Sequence, residues 1–257
     1  MQVAWSGELA GRAIDQWTRE IPVIAERGEI TDRNGELLAG NATKYTVFAR
    51  SNAVKNAENT AKKLSETLGV PYETVLKKLT GKKASEVTVA KKTEKEAVQK
   101  LAGLSLNGVY FSRDNERTYP KSDFLSQVIG FTSSDNTGAA GIEKYYDSFL
   151  RGKDGEILYE TDLVGLRLNG AAGAYKPAEN GYNLRLTIDS GIQMIAETAL
   201  KRAAQQYNPK SAECIVLDPD TFEILAMACT PSYDLNNVPR DDIPLLNTLS
   251  RNRIVCD

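Results

Sequence analysis

The dipeptide Asn34-Gly35 constrains the fold of this chain more tightly than any other sequence feature. It lies between Ile30 and the apolar pair Leu37-Leu38. Asn-Gly between apolar residues is the strongest short-range signal for a β-hairpin, because both central positions of a type I′ turn need a positive φ. We therefore predict a β-hairpin at residues 30–38 with a type I′ turn.

Helical and strand-like patterns alternate through residues 52–116. Apolar residues recur at helical spacing in Ala57–Leu68, and Pro71 is typical of the start of a further helix. Ser85–Ala90 alternates like a strand. These patterns predict a small inserted α/β lobe. The spacing of apolar residues also predicts an amphipathic helix at Ser6–Trp17, ahead of the hairpin.

A new series of elements begins after the glycine-rich stretch Gly152–Gly181. Asn183–Ile188 predicts a strand, and Asp189 is a typical N-cap for the helix that follows. The apolar runs Cys214–Leu217 and Ile224–Met227 predict a second hairpin. The whole pattern indicates an α+β fold with a boundary near residue 180. The last part holds too few elements for a complete core, which favours a fragment of a larger domain.

Composition excludes several classes of function. The 257 residues contain no histidine, which removes Ser-His-Asp and Cys-His catalysis and the commonest zinc ligand. The net charge of −2 gives no long-range field for nucleic acid. We therefore predict no metal, no cofactor and no nucleic-acid partner.

Four short motifs occur in one order along the chain: Arg27–Ala39, Arg117–Pro120, Gly138–Glu143, and the stretch from Leu217 to Asn236. The first three resemble the signature motifs of the pedestal, or dimerisation domain, of class B penicillin-binding proteins. The fourth resembles the first hairpin of their transpeptidase domain. Any one motif is moderately specific, and four in order are strong.

The resemblance implies an elongated, β-hairpin-rich pedestal at residues 1–180, with the inserted lobe at about 52–116. It implies a truncated, serine beta-lactamase-like transpeptidase domain at residues 181–257. It also points to a set of residues that form a structural network, and these are Arg27, Gly28, Asp32, Arg33, Asn34, Gly35, Arg117, Tyr119, Pro120, Gly141 and Glu143.

Two interpretations of the charged motif residues stay open on sequence grounds. Arg27, Arg117 and Glu143 are either surface charges, worth about 0–1 kcal/mol if paired in solvent, or members of a partly buried network. Breaking a buried pair costs about 3–5 kcal/mol. Tyr119-Pro120 likewise forms either a simple turn or a turn whose ring packs against the first hairpin.

The catalytic motifs of the family do not occur in these residues. No serine is followed three places later by lysine, and no Lys-Thr-Gly or Lys-Ser-Gly is present. Ser134-Asp135-Asn136 matches the middle motif but precedes the position of the family's serine, so it is predicted to be a loop. We expect the chain to be non-catalytic, to end just before the nucleophilic serine, and not to bind penicillin covalently.

The resemblance also implies a cellular setting. The parent protein would be held by one N-terminal membrane helix at the extracytoplasmic face and would cross-link peptidoglycan stem peptides. It would work beside a polytopic membrane glycan polymerase that contacts the pedestal, with a homodimer as a further option. Two alternatives remain: a naturally truncated stand-alone interaction module, and an unrelated secreted hydrolase that uses a carboxylate pair.

Three positions depart from the family pattern. Phe222 stands where the turn of the second hairpin usually has glycine, and a left-handed non-glycine residue costs roughly 1–2 kcal/mol. Either this turn is remodelled or its local packing is altered. Ser122 replaces another usual glycine, and Leu235 replaces a usual proline.

Overall fold

The computed structural model describes residues 18–81, 86–160 and 175–255. The helix predicted at Ser6–Trp17 lies outside these ranges. The chain divides into two compact units, each assembled from segments that are separated in sequence. The α+β class predicted from the sequence is confirmed. The domain boundary near residue 180 stays a prediction.

Unit 1 takes its residues from 1–24, 43–116 and 153–179. One of its sheets has the strand order β1-β6-β7, in which both pairings are antiparallel. These strands are β1 (Thr18–Val23), β6 (Gly155–Glu160) and β7 (Tyr175–Lys176).

The remainder of unit 1 packs helices against strands around a core of its own. The end of β3 (Leu37–Ala49) pairs with β4 (Val87–Thr93) and with β5 (Val109–Thr118). The helices are α1 (Ala57–Leu68), α2 (Tyr72–Thr80) and α3 (Lys95–Gly103). The core is formed by Val47, Ala49, Ala61, Leu64, Val75, Leu79, Val89 and Leu101. The helix predicted at Ala57–Leu68 is confirmed.

Unit 2 takes its residues from 25–42, 117–152 and 180–257. Here β2 (Ile30–Thr31) pairs antiparallel with the start of β3 and parallel with β8 (Leu184–Arg185). An antiparallel hairpin forms later in the chain, as the sequence predicts, from β9 (Ala212–Leu217) and β10 (Ile224–Thr230). The helices are α4 (Ser126–Ile129), α5 (Gly141–Tyr145), α6 (Asp147–Leu150), α7 (Ser190–Tyr207) and α8 (Ile243–Ser250).

The predicted N-cap of α7 is confirmed. The Asp189 carboxylate accepts hydrogen bonds from the backbone amides of Gly191 (2.9 Å) and Ile192 (3.1 Å). Such bonds satisfy two of the amides that a helix leaves without a partner in its first turn.

All three segments of unit 2 contribute to one apolar core. Ile30 and Leu38 come from the first segment, Phe124 and Leu150 from the second, and Tyr233 from the third. The motifs that are scattered along the sequence therefore share a single buried cluster.

The first hairpin is present, but the predicted type I′ turn is wrong. Gly35 has a φ of 87°, whereas Asn34 does not have a positive φ. The Asp32 carboxylate accepts hydrogen bonds from the amides of Asn34 and Glu36, both at 2.8 Å, and the Gly35 amide donates to the Asp32 carbonyl oxygen. This side-chain bonding to the backbone two residues on favours an Asx turn followed by a left-handed glycine.

The turn of the second hairpin keeps a left-handed residue in spite of Phe222. This residue has a φ of 59°, and its amide donates to the Asp218 carbonyl oxygen at 2.9 Å. The Asp218 carboxylate further accepts from the amides of Asp220 and Thr221. The Phe222 side chain is 78% exposed, so packing offsets little of the backbone cost.

We predict that Phe222→Gly stabilises the protein by about 1 kcal/mol, because glycine removes most of the left-handed penalty. Urea unfolding of the variant and the wild type measures the difference in their free energies of unfolding. Phe222→Ala is the matched control, since it removes the ring but keeps the Cβ atom, and it should give no gain. Equal stabilisation by both variants would contradict the backbone explanation.

Candidate functional site

A buried carboxylate, Glu143, lies between two arginines in unit 2. Arg27 Nε donates to Glu143 Oε2 and Arg117 Nε donates to Oε1, each at 2.7 Å. Glu143 has no solvent exposure, and the two arginines are 4% and 6% exposed. Each oxygen of the carboxylate therefore has its own charged donor, the strong form of hydrogen bond.

Three separate elements bring these side chains together. Arg27 precedes β2, Arg117 lies in β5, and Glu143 lies in the short helix α5. Arg27 is 116 residues from Glu143, whereas Arg117 is 26 residues away. The structure thus places the three in a buried cluster, the second of the two arrangements that the sequence leaves open.

A second carboxylate, Asp147 at the start of α6, completes the charge balance. Arg27 Nη1 donates to Asp147 Oδ1 at 2.6 Å, and Arg27 Nη2 donates to the backbone carbonyl of Glu143 at 2.8 Å. The Gly138 amide donates to the same Asp147 oxygen at 2.7 Å. Two cations and two carboxylates form a neutral set, which lowers the cost of burying them.

The two glycines of this site lie where a side chain has no room. The Gly28 carbonyl accepts from Arg117 Nη1 at 2.9 Å, and a Cβ atom on Gly28 would lie 1.9 Å from the Tyr182 carbonyl oxygen. Gly141 begins α5 with a φ of 58°, and a Cβ atom there would lie 2.6 Å from the Val128 carbonyl oxygen. Both positions require glycine for close approach of backbones.

The tip of the first hairpin holds four further residues of the predicted network: Asp32, Arg33, Asn34 and Gly35. None of the hydrogen bonds that the structure shows for them reaches Glu143. Asp32 is 1% exposed, and the Ser190 amide donates to its Oδ2 at 3.3 Å. Burial alone would raise the pKa of Asp32. The hydrogen bonds from the Glu36 amide and from the other donors around Asp32 outweigh this effect and hold the pKa below its usual value.

Arg33 and Asn34 connect this hairpin tip to the later part of unit 2. The Arg33 amide donates to the Ile188 carbonyl at 2.9 Å, and its side chain pairs with Glu223 at 3.2 Å. Asn34 Nδ2 donates to Asp189 Oδ2 at 3.3 Å. The Arg33 pair is more than one third exposed, so it contributes less than the buried pairs do.

Tyr119 and Pro120 form a turn, and the Tyr119 ring is also buried beside residues of the first hairpin. Tyr119 is 4% exposed and belongs to the same core as Ile30 and Leu38 of the first hairpin. Pro120 is exposed at the second position of a β-turn that the Ser122 amide closes onto the Tyr119 carbonyl. Burial raises the pKa of the Tyr119 phenol.

The sequence reasoning missed Asp147 and Asn41, and it placed Asn236 in the fourth motif without predicting its contact. Asn41 Nδ2 donates to the Arg27 carbonyl, and Asn236 pairs through its amide with both backbone groups of Tyr119. Asp147 carries a detectable signal, because it follows Glu143 by four places and a helical i, i+4 spacing puts both on one face. Asn41 carries no pattern that separates it from ordinary turn residues.

The chemistry of this cluster suits a structural role. Both Glu143 oxygens accept hydrogen bonds from arginine and the side chain has no solvent exposure, so no substrate reaches the carboxylate. Within residues 18–81, 86–160 and 175–255, no group of three or more Cys, Asp or Glu side chains is placed to hold a metal ion.

Comparison with known proteins places this fold in a family. A family model described as the penicillin-binding protein dimerisation domain matches residues 22–186. The chain is 37% identical over 91% of its length to stage V sporulation protein D of Bacillus subtilis. It is 32% identical over 93% of its length to the probable peptidoglycan D,D-transpeptidase PenA of Neisseria meningitidis. The chain therefore belongs to the class B penicillin-binding proteins and carries their dimerisation domain.

The structure agrees with this assignment. Penicillin-binding protein 2X from Streptococcus thermophilus superposes with a TM-score of 0.65 at 27% identity over 86% of this chain. The chain spans only part of these proteins: 36% of the Bacillus relative, 41% of the Neisseria relative and 36% of the Streptococcus structure.

We predict that Glu143→Ala destabilises the protein by about 3–5 kcal/mol and lowers its Tm by roughly 6–20 °C, because the buried Arg117 loses its carboxylate and Arg27 keeps only Asp147. Thermal unfolding followed by circular dichroism measures the shift. Glu179→Ala is the control: Glu179 pairs with Lys153 at 2.8 Å, a similar distance, but both side chains are exposed. Its Tm should barely change, and similar shifts for the two variants would contradict a buried network.

We predict that Asp32→Asn costs about 1–3 kcal/mol at neutral pH, and that the cost shrinks below about pH 4. The folded pKa of Asp32 lies below its unfolded value, so its stabilisation is complete above the unfolded pKa and is lost as the pH falls through the folded pKa. Urea unfolding at neutral and acid pH tests this. Asp241→Asn, at an exposed aspartate, controls for the lost charge, and a gap that persists in acid would argue against the prediction.

Proposed function

We propose that this chain is the non-catalytic pedestal part of a peptidoglycan-synthesising D,D-transpeptidase, together with the first elements of its catalytic domain. The observation that carries the proposal is the shared core of unit 2. Ile30 and Leu38 of the first motif are buried in the same cluster as Tyr233 and Leu235 of the fourth motif. A pedestal joined to the catalytic domain by common packing can set the position of that domain.

The ion network supports the same proposal. Glu143 ties Arg27 to Arg117, and these three side chains come from the first three motifs in the chain. Asp32 holds the start of α7 through the Ser190 amide. The motif residues thus act as structural links, while the acyl-transfer chemistry belongs to a Ser-x-x-Lys motif that these 257 residues do not contain.

The proposed setting is the extracytoplasmic face of the bacterial membrane. There the parent enzyme cross-links peptidoglycan stem peptides and contacts a polytopic membrane glycan polymerase through the pedestal. A homodimer is part of the same proposal. Among the helices in the described ranges, none has the length and apolar character needed to cross a bilayer.

The test is covalent labelling by a fluorescent penicillin. The full-length product of the gene should be labelled, labelling should be blocked by excess unlabelled penicillin, and the 257-residue chain should stay unlabelled. The first result is expected because beta-lactams acylate the nucleophilic serine of this family. Labelling of the 257-residue chain, or no labelling of the full-length product, would overturn the proposal.

A further inference from the structure

Helix α7 presents a row of three polar side chains to the rest of unit 2. Gln193, Glu197 and Lys201 follow each other at four-residue intervals, so they lie on one face of the helix. Each of the three has a partner outside α7.

Gln193 attaches the helix to strand β10. Its side chain is fully buried, its Oε1 accepts from the Met227 amide at 2.7 Å, and its Nε2 donates to the Met227 carbonyl at 3.1 Å. The amide group thereby satisfies both backbone groups of one strand residue. Gln193 Nε2 also donates to Glu197 Oε1 at 2.8 Å, which links the first member of the row to the second.

Glu197 and Lys201 attach the helix to the loop 121–125, which follows Tyr119-Pro120. Glu197 Oε1 accepts from the Leu125 backbone amide at 2.9 Å. Lys201 Nζ donates to Asp123 Oδ2 at 2.8 Å. Ser232 Oγ, just beyond β10, donates to the same aspartate oxygen at 2.8 Å. The loop is thus held from the helix and from the end of the second hairpin.

The backbone of this loop is unfavourable by itself. Ser122 has a φ of 51° and Leu125 has a φ of 54°, and neither is glycine. Residues in this region persist only where their surroundings hold them. The Ser122 carbonyl accepts from the Leu235 amide at 3.1 Å, and Leu125 is held by Glu197. The loop conformation therefore depends on contacts with elements that come later in the chain.

We infer that Glu197 and Lys201 are positioning residues that fix the loop after the second motif against α7 and β10. This inference rests on the proposed function and makes it specific: the pedestal sets the orientation of the catalytic domain through these two side chains. A displacement of the loop then displaces α7, and the hydrogen bonds between Gln193 and Met227 displace β10 with it.

The first experiment measures hydrogen exchange of the Leu125 amide in the 257-residue chain. Glu197→Ala should speed exchange about tenfold or more, because a charged acceptor is lost. Glu197→Gln should restore most of the protection, since its amide oxygen can still accept. Lys201→Ala should loosen the loop, whereas Arg202→Ala, the next residue on α7 and an exposed cation, should not. Unchanged exchange in both Glu197→Ala and Lys201→Ala would overturn the inference.

The second experiment measures penicillin acylation in the full-length product of the gene. Glu197→Ala and Lys201→Ala should slow the acylation step about tenfold with little change in Tm, because misplaced groups slow a reaction without unfolding the protein. Glu197→Gln and Arg202→Ala should stay near wild type. An unchanged Tm in the alanine variants, together with rescue by the conservative variant, separates positioning from simple loss of stability.

The two proposals fail in different ways. If the wild-type full-length protein is not acylated, the proposed function is wrong, and the positioning role that rests on it falls as well. If the wild type is acylated and both alanine variants react at its rate, the positioning role alone is wrong.

Discussion

Burial of the Glu143 carboxylate is the constraint on which the arrangement of unit 2 depends. An ionised carboxylate without solvent is tolerated only where charged donors satisfy it, and Arg27 and Arg117 supply one donor to each oxygen. Loss of either arginine leaves a charge unbalanced in the interior. The backbone must therefore bring the approach to β2, the end of β5 and helix α5 to one point, and Gly28 and Gly141 allow the close contacts that this requires.

In unit 2, two side-chain amides form the hydrogen bonds to backbone groups that a neighbouring strand would form in a wider sheet. Gln193 binds both backbone groups of Met227, and Asn236 binds both backbone groups of Tyr119. Such pairs satisfy backbone groups that would otherwise lack a partner, one pair of groups in strand β10 and one just beyond β5. They also connect segments from different motifs, so polar bonding and the apolar core fix the same arrangement.

Sequence patterns predicted the elements better than their contacts. The hairpin at residues 30–38, the helix Ala57–Leu68 and the Asp189 cap follow from local signals and were found. The turn type was wrong because Asp32 forms side-chain bonds that a dipeptide rule ignores. Convergence of Arg27 with Glu143 was left open, since burial across a separation of 116 residues has no local signature. Phe222 was recognised as unusual, but only the folded backbone shows that it keeps the left-handed conformation.

The assembly of unit 2 from three distant segments has a consequence for the order of folding. The lobe core, with the partly buried residues that pack against it, lies between Val47 and Phe111, so it can form as soon as that stretch is available. The core around Ile30 is closed only by residues as late as Val238. Contacts over such separations form slowly. During synthesis the first hairpin therefore lacks its packing partners until Val238 has been made, and its apolar face is a candidate for chaperone binding over that interval.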